Sequence, residues 1–215
     1  MRSVHVLVET NWVVDLVAPL LSRNPGAREL LERARRGELI LHVPSIALSE
    51  AHKVVRERNL RADVENIRAF VRDTRDAGAI GETSANIVFD TLTRFQQHVA
   101  TEKLEAPRRI SELRDEPAVN IFPLDEAMLV RSTQIAADTS LELQSFDLSI
   151  LAAVLVRGRA LSKEGHDVAF CTLDAHLQPW DKTGGRKREL ADLLEGAGVW
   201  VYSDFALQAP MRPDR

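Results

Sequence analysis

The chain has 215 residues, 45% of them hydrophobic, enough for one substantial core and short for two independent domains of ordinary size. A formal charge of -4 and a pI near 5.9 exclude nucleic-acid binding by bulk positive charge and leave only local basic clusters for that task. The single cysteine, Cys171, excludes an internal disulfide and a thiolate metal site, and no apolar run approaches the ~20 residues of a transmembrane helix. With no cleavable leader pattern after Met1, the expectation is a soluble, cytoplasmic protein with no membrane partner.

Val4 to Val8 is an aliphatic run interrupted by His5, the pattern of a parallel strand covered on both faces, and it ends in Glu9, Thr10 and Asn11. Helical spacing follows through Trp12, Val13, Leu16, Val17 and Leu20. Asn24, Pro25 and Gly26 mark a turn before a second helix from Ala27 to Arg36. Leu39 to Val43 forms a second strand, and Pro44 and Ser45 open the next helix. There Ile46, Glu50 and Val54 recur at every fourth residue, so Glu50 lies in the apolar stripe instead of on the solvent side with Lys53, Arg56 and Glu57.

From Arg61 to Glu105 the chain is charged, with apolar positions at Val64, Ile67 and Val71, then Val88, Leu92, Phe95 and Val99. This predicts two amphipathic helices broken near Gly78 and Gly81, followed by a loop from Pro107 to Pro117. Ile121 to Leu124 is a third strand, placed at a sheet edge by Pro123, and Asp125 caps a helix running to about Ala137. Ser145 caps the next helix, where Asp147 shares the side of Ile150, Leu151, Val154 and Leu155 in a first turn that favours an anion. Val168 to Leu173 is a strand ending in Asp174; a helix from Arg188 to Leu194, closed by Gly196 and Gly198, leads to a last strand at Val199 to Tyr202. The alternation predicts an α/β three-layer sandwich on a mostly parallel sheet: one domain over 1–207 with a helical insertion at about 61–105, then a tail at 208–215.

Glu9, Glu50, Asp147 and Asp174 therefore all fall where such sheets keep their chemistry, at the carboxyl ends of the strands. Two ionised carboxylates about 4 Å apart repel by about 4 kcal/mol at an effective dielectric of about 20. A divalent cation reverses that sign, and an oxygen-only donor set suits Mg²⁺ or Mn²⁺ better than zinc. A metal-activated water then fits phosphodiester hydrolysis without a covalent nucleophile.

Three stretches resemble the PIN-domain nucleases, a family that includes ribonuclease toxins of toxin-antitoxin pairs. They are Val6-Leu7-Val8-Glu9-Thr10-Asn11; Val43-Pro44-Ser45 leading to Glu50; and Phe146-Asp147-Leu148-Ser149-Ile150-Leu151-Ala152-Ala153 continued by Cys171-Thr172-Leu173-Asp174. The resemblance implies a metal-dependent endoribonuclease in which Glu9, Glu50, Asp147 and Asp174 are catalytic and metal-binding. Thr10 and Asn11 would orient ligands or face substrate, and Thr172 would orient Asp174 or a metal-bound water. It further implies RNA as substrate, an antitoxin-like protein as a possible partner and a homodimer as a possible assembly. One departure stands out: the family's first acid is usually Asp, whereas here it is Glu9, and the extra methylene moves the carboxylate by more than a bond length. The alternative reading is a PIN-fold binding or scaffold protein in which cleavage is weak or lost.

Each feature has a plainer explanation too. Glu9 can end a strand beside an arginine, Asp147 can serve only the helix dipole, and Asp174 can be a turn residue. His5 reads as a satisfied core histidine, Asp15 as solvent-facing, and His176 as part of a polar loop. Trp12, Trp180 and Trp200 read as packing residues, and Gly184-Gly185 before Arg186, Lys187 and Arg188 as a flexible loop. The basic clusters Arg33/Arg35/Arg36, Arg56/Arg58/Arg61, Arg108/Arg109 and Arg186/Lys187/Arg188 read as solvated faces.

Overall fold

Five short apolar runs pair side by side as parallel strands: β1 (Val4–Val8), β2 (Ile40–Pro44), β3 (Val119–Phe122), β4 (Asp167–Cys171) and β5 (Val199–Tyr202). The computed structural model describes residues 4–21, 26–58, 60–181 and 183–207; the Asn24-Pro25 turn and the tail at 208–215 lie outside them. The strand order is β3-β2-β1-β4-β5, so the expected edge position of β3 holds, with Pro123 just beyond the strand. Every connection is a crossover carrying helix: α1 (Thr10–Val17), α2 (Ala27–Arg35), α3 (Ser45–Glu57), α4 (Arg61–Asp76), α5 (Glu82–Arg114), α6 (Glu126–Asp138), α7 (Ser145–Lys163) and α8 (Arg188–Gly196).

Strand alternation divides the core into two layers. Val6, Val8, Leu41 and Val43 pack with α1, α2, α3 and the C-terminal half of α5, whereas Leu7, Val168, Phe170 and Val201 pack with α6, α7 and α8. The result is the three-layer α/β/α arrangement expected from the sequence. Gly158 lets α7 lie close to the sheet, because a Cβ there would overlap the Val199 side chain. Among the described residues no helix is long and apolar enough to cross a membrane.

Two expectations are corrected. Pro107 to Pro117 is not a loop: α5 continues through Pro107 to Arg114. Pro in a helix interior costs about 3 kcal/mol, but burial of Ile110 and Leu113, each worth about 1.5 to 3 kcal/mol, with Ala106 on the same face, outweighs it. Asp15 is not solvent-facing. It is buried, and its Oδ2 accepts hydrogen bonds from Gly26 N (3.0 Å) and Ala27 N (2.8 Å), supplying the α2 N-terminus with the acceptor that Gly26 lacks. A smaller shift concerns α7, whose cap is Gln144, one residue before Ser145.

The basic clusters lie largely on exposed faces, as the plainer reading expected, and many of their members are ion-paired. Arg35 pairs with Glu32 and Glu116, Arg36 with Glu38, Arg108 with Glu112, Arg109 with Glu105, and Arg186 with Asp192 and Glu195. Trp12 is buried, its indole donating to Ala27 O at 3.2 Å.

Within the sheet, away from the carboxylates, lies a polar chain. Asn120 Nδ2 donates to His42 Nδ1 (3.2 Å), which leaves the His42 proton on Nε2 to be donated to His5 Nδ1 (2.9 Å). Both rings are thereby neutral. His42 is 1% exposed, and burial first, then the charges of Arg157 and His5, pushes its pKa down to about 3. A histidine whose folded pKa is depressed stabilises the fold above its unfolded value of 6.5, and that contribution is lost as pH falls toward the folded value. The stability advantage of wild type over His42→Gln, read from urea midpoints, should shrink by about 1.4 kcal/mol between pH 7.5 and 5.5. A pH-independent difference would show that His42 is not held neutral.

Candidate functional site

The strand order reverses direction between β1 and β4, and the crevice at the carboxyl end of that pair is where α/β sheets bind ligands. Glu9 leaves β1 and caps α1; Thr10 and Asn11 form the first turn of α1; Glu50 projects from α3; Asp147 stands in the first turn of α7; Thr172 and Asp174 follow β4.

Glu9 is 2% exposed and surrounded by donors. Its Oε2 accepts from Asn11 N (2.8 Å), and its Oε1 from Asn11 Nδ2 (2.9 Å), Leu173 N (3.2 Å) and the Thr172 hydroxyl (3.3 Å). Burial nevertheless dominates, raising its pKa to about 7 against the pull of those donors, and the charge of Asp174 adds to the rise. An arginine is not what satisfies Glu9, contrary to its plainer explanation: backbone and neutral side chains do.

The other three acids act on one another. Burial raises the pKa of Glu50, and the charges of Asp147 and Asp174 raise it further, opposed by a hydrogen bond from the Thr10 hydroxyl to Glu50 Oε2 and by Lys53. Asp147 is likewise raised by burial and by Asp174, opposed by Gln144 N and His176; its carboxylate and Gln144 form a capping box. Thr172 Oγ1 accepts from Asp174 N at 3.0 Å, and Asp174 Oδ1 accepts from His176 N at 2.8 Å, so Thr172 links Glu9 to Asp174. Among the described residues none of the four carboxylates is in an ion pair with lysine or arginine.

The donor chemistry fits a hard divalent cation: oxygen only, half-buried to buried, and mutually repelling. The side chains do not yet enclose one. Among the described residues no three His, Cys, Asp or Glu groups are disposed as a ligand shell, with Glu9 turned to its donors and Glu50 to Thr10. Lys53, exposed as the helical pattern assigns it, is also a positive charge that acts on Glu50. It stands three residues after Glu50 on α3, with Nζ 5.7 Å from the centre of the Phe146 ring, and the i,i+3 spacing is the signal in the sequence that points to it.

No protein-family model and no curated protein matches this sequence. The case for function therefore rests on the chemistry of the crevice.

Because burial raises the proton affinity of Glu9, to a pKa of about 7, and of Glu50 and Asp147, protons compete with a cation for these carboxylates. Addition of Mn²⁺ should raise the thermal midpoint more at pH 8 than at pH 6. Asp147→Asn should match or exceed wild type in EDTA, where a repelling charge is gone, and should lose most of the Mn²⁺-induced rise. Equal Mn²⁺ shifts in the variant and the wild type would remove Asp147 from the site.

Proposed function

We propose that this chain is a PIN-like, metal-dependent endoribonuclease acting at the β1/β4 crevice with Mg²⁺ or Mn²⁺. The observation that carries the reading is the gathering of Glu50, Asp147 and Asp174 at the switch point of a parallel sheet, where burial first and then neighbouring carboxylate charge raise the proton affinity of Glu50 and Asp147. Such an arrangement costs stability, and a cation-dependent function accounts for its presence.

Glu50, Asp147 and Asp174 would hold the ion. When bound, it supplies Lewis-acid polarisation of a phosphoryl oxygen and a lowered pKa for water. Thr10 fixes the Glu50 rotamer through its hydroxyl, and Thr172 holds Asp174 through its backbone amide. Asn11 holds Glu9 with both of its nitrogens, so Glu9 contributes negative charge from a fixed position. No side chain is required as a covalent nucleophile.

A second reading, a PIN-fold protein that binds without cleaving, is favoured by one observation: the Glu9 carboxylate already accepts four hydrogen bonds and has little capacity left for a ligand role. A toxin-type protein covered by an antitoxin-like partner or by a second copy is a variant of the nuclease reading. Phe70, 71% exposed on α4, and Ile87 on α5 support a covered face there.

Glu50→Gln and Asp147→Asn should each lower Mn²⁺-dependent hydrolysis of a single-stranded RNA by at least about 100-fold, equivalent to about 2.7 kcal/mol of transition-state stabilisation. Thr10→Val should cost about 10- to 100-fold, as loss of a ligand-orienting partner does. Wild type inert toward RNA with both Mg²⁺ and Mn²⁺ would favour the binding protein.

A further inference from the structure

Beside the acids, α3 and α5 enclose a groove of about 710 Å³ whose chemistry is opposite to that of the crevice. His52, Lys53 and Arg56 line it from α3, and Lys103, Leu104 and Pro107 line it from α5. Lys53 belongs to both regions, since it also acts on Glu50. Arg56 lies six residues past Glu50, about 9 Å further along the helix axis. The groove and the acids thus meet at Lys53.

Its positive charge is only lightly opposed. Arg56 is largely exposed and, among the described residues, meets a carboxylate only in the exposed, 3.4 Å contact with neighbouring Glu57. Lys103 donates to the carbonyls of Arg56 (3.3 Å) and Arg58, which ties α5 to the end of α3 without cancelling the charge. The acids beside Lys103 are engaged elsewhere: Glu102 accepts from Leu20 N, and Glu105 pairs with Arg109. Buried Val55 and Ala106 give the groove an apolar floor, and Leu104, 83% exposed, forms a bare rim.

We infer that the groove between α3 and α5 binds the sugar-phosphate backbone of single-stranded RNA as it leaves the carboxylate crevice, with Lys53, Arg56 and Lys103 meeting successive phosphates. This rests on the nuclease reading for the identity of the strand, and on the groove's own charge and shape for its location. Cations over an apolar floor suit a chain of phosphates bearing bases, and a chain of net charge -4 has no bulk attraction to supply instead. Phe146, under Lys53, stands where a base at the junction can stack.

The test is fluorescence anisotropy of a labelled single-stranded oligoribonucleotide with the full chain in EDTA, so that binding is read without cleavage. Arg56→Gln and the double variant Arg56→Gln/Lys103→Gln should weaken binding progressively and flatten the slope of log K against log salt by about 0.7 for each cation removed. Arg72→Gln, an exposed change on α4, should leave both unchanged. In Mn²⁺ the Arg56 variant should raise KM for RNA and leave kcat, and hydrolysis of bis(p-nitrophenyl) phosphate, at wild-type values. Wild-type affinity and slope in the double variant would overturn the groove, even where Asp147→Asn abolishes cleavage. Conversely, binding abolished in the double variant while no ion supports cleavage would leave the groove standing and sink the nuclease reading. Polyglutamate bound as tightly as RNA would overturn the assignment in favour of an acidic protein partner.

Discussion

The Glu9 carboxylate joins two stretches of chain that are remote in sequence: the junction of β1 with α1, through both nitrogens of Asn11, and the segment after β4, through Thr172 and Leu173. An isolated ionised carboxylate at this depth would cost several kcal/mol; burial raises the pKa of Glu9, and its hydrogen-bond donors hold that rise to about 7. The same hydrogen bonds hold the β1/β4 crevice in shape. Asp174 is positioned by the hydroxyl that Glu9 engages, so the geometry of the outer acids depends on the satisfaction of the inner one.

Much of this is legible in the sequence because it is set by short-range patterns. Aliphatic runs at Val4–Val8 and Val199–Tyr202 mark strands, Asp125 marks a cap, and the order of elements implies the layers. What escapes such patterns is long-range. Nothing near Pro107 announces that Ile110 and Leu113 will be buried against the sheet layer, and the local cost of proline is the only visible term. Asp15 reads as exposed because its partner, the α2 N-terminus, is eleven or more residues away and becomes a neighbour only when α1 and α2 pack. For the crevice, periodicity identifies Glu50 and position identifies Asp147 and Asp174, but donors that enclose Glu9 follow β4, as far as 163 and 164 residues on, and no spacing rule reaches that far.

The two ends of the sheet deal with polar groups in different ways. Within β1 and β2, His5 and His42 are kept neutral by burial and by a chain of hydrogen bonds that begins at the Asn120 amide. At the carboxyl edge the carboxylates stand together without a lysine or arginine ion pair among the described residues, and burial raises the proton affinity of Glu9, Glu50 and Asp147. A fold optimised for stability alone would neutralise both ends, and the unpaired carboxylates at one of them are what the proposed cation-dependent function would account for.

An anionic crevice is a poor place to attract an anionic polymer. Each carboxylate there repels an approaching phosphate, and a net charge of -4 offers no compensating field at distances beyond about 8 to 10 Å in physiological salt. Attraction must therefore come from cations close enough to act before screening, yet outside the ligand set so that they do not compete with a metal ion. Lys53 meets both conditions: it is one turn from Glu50, withdrawn over Phe146, and continuous with Arg56 and Lys103 along the groove. The helical insertion supplies Lys103 and the outer wall, so on the proposed RNA reading the long α5 would serve the site itself as well as the periphery of the fold.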